Sequence, residues 1–175
     1  LPRKPSVRPS RSTATSAPPS GASPPVVAVA RAMSHFGEHA LGWVVLSGLG
    51  ALVQPKRRRD WLLVGAGAVA AHAAAIMIKL VVRRARPNHP AIAVNVATPS
   101  ALSFPSAHAT STTAAAMLLC RATRSPLPLV LVPAMALSRL VLGVHYPTDV
   151  LAGAAVGAAV AQAAARLAGR SEGDA

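Results

Sequence analysis

Three short stretches of this chain hold side chains suited to handling an oxyanion. The first pairs Lys79 with Arg86 and Pro87, with six residues between the two cations. The second is Pro105-Ser106-Ala107-His108. The third sets Ser138 and Arg139 ahead of His145 with five residues between, and Asp149 after it with three between. Together they supply three cations, a hydroxyl, two imidazoles and a carboxylate, which is the equipment of phosphoryl transfer. Fixed cations stabilise the negative charge spread over a phosphoryl group's oxygens without having to reorganise. Arg86 and Arg139 can grip two oxygens at once, and Lys79 acts as a point charge. The Ser106 hydroxyl and the free N–H groups of a helix starting near His108, reached through Ala107, complete a phosphate cradle. Neutral His145 can then attack phosphorus while Asp149 holds its other nitrogen. His108 protonates the leaving oxygen and afterwards activates water. The scheme calls for no metal and no cofactor, and Glu38, Asp60, Asp149, Glu172 and Asp174 are too scattered for a two-metal site.

These residues can act together only if the elements carrying them converge. Five apolar stretches, 38–53, 61–82, 108–120, 127–142 and 146–167, read as membrane-spanning helices. If they alternate in direction, the second ends, the third begins, the fourth ends and the fifth begins on one side of the bilayer. All three chemical stretches then meet at one interfacial pocket. The third and fourth are short for a span, and tilt or protein contact would have to accommodate them. Residues 26–36 suit a short interfacial helix interrupted by Arg31. Residues 1–25, rich in Pro, Ser and Arg, read as a disordered tail with no signal-peptide pattern, and 171–175 as a C-terminal tail. Gly153 and Gly157 form a GxxxG in the fifth stretch. Such a face packs helices closely, either within the chain, in a homo-oligomer, or against neighbouring pathway enzymes. The loop at 84–104 holds Pro87, Pro90 and Pro99 and is long enough to be functional.

Composition supports a membrane setting. Hydrophobic residues are 52% of the 175, yet aromatics are only 3%, so Ala, Val and Leu do the packing. The net charge of +13 raises the question of nucleic acid. The basic residues, however, sit between apolar blocks (56–59, 83–86, 121 and 124, 166 and 170) and not along one soluble face. That placement suits lipid head groups or an anionic substrate, and no nucleic-acid partner is expected. The lone Cys120 excludes an intramolecular disulfide and reads as a small buried hydrophobe.

Each candidate alone also has a plain structural reading. Lys79, Arg83, Arg84 and Arg86 suit a helix-end anchor, Ser106 a helix cap, and His145 with Asp149 a structural hydrogen bond. Arg139 differs, because an unpaired charge within an apolar span is costly. His39, with Glu38 and His35, belongs near the pocket mouth, where it, Arg83 and Arg84 can touch a substrate head group. His72, alone in the second span, reads as a satisfied packing residue.

The three stretches resemble the signature of the type-2 phosphatidic acid phosphatases, K-x6-RP, PSGH and SR-x5-H-x3-D. They depart from it at one position, where Ala107 replaces glycine. The resemblance covers 79–149. It implies an all-α integral-membrane helical bundle of about five transmembrane helices and a metal-independent phosphatase of the bacterial plasma membrane. It also implies that Lys79, Arg86, Ser106, Ala107 and Arg139 hold phosphate, that His108 is the acid, and that His145 and Asp149 form the nucleophile pair. Soluble vanadium haloperoxidases share the motifs, but the apolar spans point away from them. FGEHALGW ahead of the first span is similar to actinobacterial members acting on a polyprenyl-linked pentose phosphate. The lipid-linked substrate has alternatives in a polyprenyl diphosphate or phosphatidylglycerophosphate. An alternative of another class is a non-catalytic membrane scaffold that binds lipid phosphate, for which Ala107 is the sequence support.

Overall fold

A computed structural model describes residues 22–88, 94–98 and 100–173. Residues 1–21, most of the expected tail, and 174–175 lie outside it, as do Pro90 and Pro99 of the long loop. The described part is helical, with no strand beyond an isolated bridge between Ala85 and Leu102. Six α-helices follow one another: α1 (Pro24–Gly37), α2 (Leu41–Val53), α3 (Arg58–Val82), α4 (Ala107–Thr123), α5 (Leu131–Val141) and α6 (Pro147–Gly173). Proline stands at the first turn of α1 and α6, where its fixed φ suits the helix and its missing N–H costs nothing. Arg83 and Arg124 take left-handed conformations that stop α3 and α4.

The site lies at one end of the bundle because of how α3, α4 and α6 run. The Arg57 guanidinium donates to the Ala122 carbonyl, setting the start of α3 beside the end of α4. Lys79 donates to the carbonyls of Leu102 and Ser103, setting the end of α3 beside the start of α4. The two helices are therefore antiparallel. Gly153 faces Ser106, Ala109 and Thr110, and Gly157 faces Thr110 and Thr113, so α6 runs parallel to α4. A Cβ on Gly157 would collide with the Thr110 carbonyl. The GxxxG question is thereby answered: the small face joins α4 and α6 of one chain.

The packing is that of a membrane bundle. Its interior is lined by small residues, among them Ala68, Ala71, Ala114, Ala115 and Ala122, with Trp43 and Leu118 filling the larger gaps. Leu52, Val53, Met77, Val81, Leu137, Leu151 and Leu167 point outward and are exposed. Lipid offers no hydrophobic drive for helices to associate, so close approach of small residues holds them together and the large side chains face the acyl chains.

Three helical stretches are long and apolar enough to cross a bilayer, namely Pro24–Val53, Pro55–Val82 and Pro147–Arg170, and Leu127–Val141 is a shorter apolar one. The protein is a multi-pass membrane protein. The expected all-α bundle is present, with two differences of detail. The expected interfacial helix at 26–36 and the first expected span form one stretch, Pro24–Val53, kinked at a single turn, Glu38–Ala40. Helix α4 falls outside the long spans because it has only 17 residues, mostly Ala, Ser and Thr and mostly buried. It sits in the middle of the bundle against α1, α3, α5 and α6, where protein, not lipid, surrounds its hydroxyls.

Candidate active site

Helix α1 and the turn after it, the second half of α3, the loop that follows, the start of α4, the end of α5 and the link to α6 line a cavity of about 580 Å³. Lys79, Arg86, Ala107, His108, Arg139 and His145 all line it. Arg86 organises the loop. Its Nε donates to the Ser100 carbonyl at 2.8 Å, and one terminal nitrogen donates to the Val144 carbonyl at 2.7 Å and lies 3.3 Å from His145 Nε2. A guanidinium only donates, so Nε2 is the acceptor and neutral His145 carries its proton on Nδ1. That nitrogen is 3.5 Å from Asp149 Oδ2, at ion-pair range though short of hydrogen-bond geometry. Burial is the main influence on His145 and pushes its pKa below the ordinary histidine value. Asp149 opposes this, and the charges of Arg86 and Lys79 reinforce it. Burial thereby favours the neutral imidazole.

Asp149 is fully buried and held from two further sides. Tyr146 N–H donates to Oδ2 at 2.8 Å, and Arg84 donates to Oδ1 at 3.0 Å. Arg84 also donates to Thr148 Oγ1 and lies 4.1 Å from the centre of the Tyr146 ring. Arg84 therefore stands behind Asp149 and is not among the cavity-lining residues. Arg83 is exposed, folds back onto the Leu80 carbonyl, and is likewise away from the cavity wall.

Arg139 is 2% exposed. Its partners are neutral: Ser138 Oγ at 3.2 Å, Ser34 Oγ at 3.1 Å and the Ala30 carbonyl at 3.5 Å. A buried guanidinium held by neutral groups is a ready counter-charge for an anion. Ser106 caps α4: its hydroxyl accepts from Ala109 N–H at 3.4 Å, and its own N–H donates to the Asp149 carbonyl. It is fully buried beside the cavity, with Ala107 presented at the wall. The capping reading of Ser106 thus has geometric support, and Ser106 itself is not among the cavity-lining residues.

Ser34 was not visible as a site residue from the motifs. It links Arg139 to His108, whose Nε2 lies 3.0 Å from the Ser34 carbonyl and donates to it. The signal lay in α1 itself, where Val27, Ala30, Ser34 and Gly37 share the buried face. A serine on that face is a polar group in need of a partner. Gly37 is required there, since a Cβ would come within 2.7 Å of the His108 ring. Arg31, on the same helix, lines the cavity and donates to the Asn95 carbonyl at 2.7 Å. His39 lines the cavity as expected. His72 departs from its expected satisfied packing role: it too lines the cavity, and its Nδ1 is buried with no hydrogen-bond partner among the described residues.

A family model described as the PAP2 superfamily matches residues 60–172, the stretch that carries every one of these motif residues. The chain belongs to the PAP2 superfamily. Its PAP2 relatives include a decaprenylphosphoryl-5-phosphoribose phosphatase of Mycobacterium tuberculosis, 67% identical over 133 residues, covering 76% of this chain and 75% of that protein. The enzyme of the same name from Mycolicibacterium smegmatis is 71% identical over 130 residues, covering 74% and 72%. Among solved structures, a transmembrane PAP2-type phosphatidylglycerolphosphate phosphatase from Bacillus subtilis matches with a TM-score of 0.69 at 22% identity. The match covers 85% of this chain and 79% of that one and shows a shared PAP2 fold. This PAP2 protein is a multi-pass membrane phosphatase.

Proposed function

We propose that this chain removes the 5-phosphate from decaprenylphosphoryl-5-phosphoribose at a bacterial plasma membrane. The relatives that are 67% and 71% identical to it over about three quarters of the chain bear that name. The observation that carries the chemistry is the pairing of His145 and Arg86 inside a cavity that also holds Lys79, Arg139 and His108. The substrate's phosphate displaces Arg86 from His145 Nε2 and is gripped by Lys79, Arg86 and Arg139, with Ser106 and the start of α4 beside it. Nε2 attacks phosphorus, a P–N bond forms, and the P–O bond to the ribose breaks. With its Nε2–H held by the Ser34 carbonyl, His108 takes a second proton on Nδ1 as the dianion binds and gives that proton to the leaving oxygen. Asp149 stabilises the charge that develops on His145. Water, deprotonated by the now neutral His108, then attacks phosphorus, releasing phosphate and restoring His145. Ala107 sets a methyl where the family pattern has glycine, tightening the wall beside the phosphate.

The test is phosphate release by purified protein in detergent with EDTA, comparing wild type with His145→Ala. The substrates are a polyprenylphosphoryl-pentose phosphate, a polyprenyl diphosphate and a phosphatidylglycerophosphate. The expected result is release that survives chelation, favours the pentose phosphate and disappears in the variant. Equal release by His145→Ala rules out the phosphohistidine route, and preference for another lipid reassigns the substrate.

A further inference from the structure

The cavity is far larger than a phosphate needs. At 580 Å³ it has the volume of a site for a small organic ligand, whereas the phosphate group takes on the order of 100 Å³, a few water volumes. The end away from the three cations has its own polar groups. His72 stands on α3 seven residues before Lys79, two turns along the same face and about 10 Å away along the axis. Its ring centre is 5.9 Å from that of His39. His39 reaches it through an uncommon backbone, because it and Ala40 both take left-handed conformations, at φ 51° and 60°. Non-glycine residues held so are strained, and such strain concentrates at functional sites. Glu38, half-buried, joins them at the cavity wall.

This polar group and the proposed acid, His108, line the same cavity. The alcohol that carries the phosphate must occupy the volume the phosphate leaves free, whose wall includes Glu38, His39 and His72. Two imidazoles and a carboxylate suit hydroxyl groups. The buried Nδ1 of His72 accepts from one, the His39 ring donates to or accepts from another, and a carboxylate accepts from a sugar hydroxyl as it does in ribose recognition.

We infer that Glu38, His39 and His72 form a second subsite that binds the hydroxyl groups of the sugar released in the reaction, and so select a sugar phosphate over a hydroxyl-free lipid phosphate. The inference rests on the substrate reading above. Arg83 and Arg84, the other head-group candidates from the sequence, stand outside this subsite.

The experiment compares kcat/KM for a polyprenylphosphoryl-pentose phosphate with that for phosphatidic acid, whose diacylglycerol part offers no hydroxyl besides the oxygen that bears the phosphate. It uses full-length wild type, His72→Leu and His72→Gln in the same detergent. Misfolding scales both substrates alike, so the ratio isolates recognition. The expected result is a sugar preference in wild type that falls tenfold or more in His72→Leu and recovers in part in His72→Gln, whose amide can both donate and accept. A wild-type preference that His72→Leu leaves within twofold overturns the subsite alone. A wild type with no preference for the sugar substrate overturns the substrate reading, and this inference with it.

Discussion

Arg139 offers a sharp test because its structural and chemical roles predict opposite outcomes. The guanidinium is 2% exposed and contacts two hydroxyls and one carbonyl, the last at 3.5 Å. Replacement by methionine forfeits three hydrogen bonds, each worth about 0.5–3 kcal/mol net. It also removes an ion whose burial costs several kcal/mol. The two nearly cancel, so Arg139→Met is expected to stay within about 2 kcal/mol of wild type in detergent unfolding. Catalysis has no such compensation. Losing a two-pronged charged contact to the transferring phosphoryl removes about 3–6 kcal/mol, or roughly 10²- to 10⁴-fold in kcat/KM. Arg139→Lys, which keeps the charge and loses the fork, is expected between the two. Vanadate at about 100 times its dissociation constant should stabilise wild type by about 2.7 kcal/mol and Arg139→Met far less. The assay is phosphate release alongside thermal unfolding with and without vanadate. An Arg139→Met protein that unfolds far below wild type yet turns over within tenfold of it would refute the reasoning, since Arg139 would then be a structural tie.

Three further outcomes follow from the same geometry. Because burial depresses the His145 pKa, its neutral form persists below the ordinary histidine range. The acid limb of kcat/KM should therefore lie below about pH 6.5, and the stability linked to His145 should be lost only as pH falls from there toward its folded pKa; a pH–rate profile with its acid limb at or above 6.5 contradicts this. Arg84→Ala removes the charged contact to Asp149 Oδ1 and is expected to lower kcat/KM by roughly 10- to 100-fold, with KM changed less than kcat because Arg84 stands outside the cavity. Gly157→Ala is expected to cost about 1–3 kcal/mol of stability, as its methyl meets the Thr110 carbonyl, whereas Gly48→Ala meets nothing within 4 Å and should be neutral or mildly stabilising; both are read by thermal unfolding in detergent.

Much of the molecule was legible from residue order alone. Apolar blocks long enough to span a bilayer, interrupted by basic residues and prolines, specify an α-helical membrane bundle, because a continuous apolar run in lipid satisfies its own backbone only as a helix. Alternation of the spans places Lys79, Arg86, His108, Arg139, His145 and Asp149 at one end, and that is where they stand. Spacing also brings His145 and Asp149 onto neighbouring positions one turn apart. Tertiary structure decided what lies between elements distant in the chain. It put Ser34 of α1 between Arg139 and His108, turned Arg84 onto Asp149 instead of toward the substrate, and used the Gly153–Gly157 face within one chain. It also brought His72 opposite His39, through a left-handed kink that local sequence does not announce. These contacts depend on helix rotation and crossing, which a span's hydropathy leaves free. Packing of small side chains fixes them only once all the helices are together.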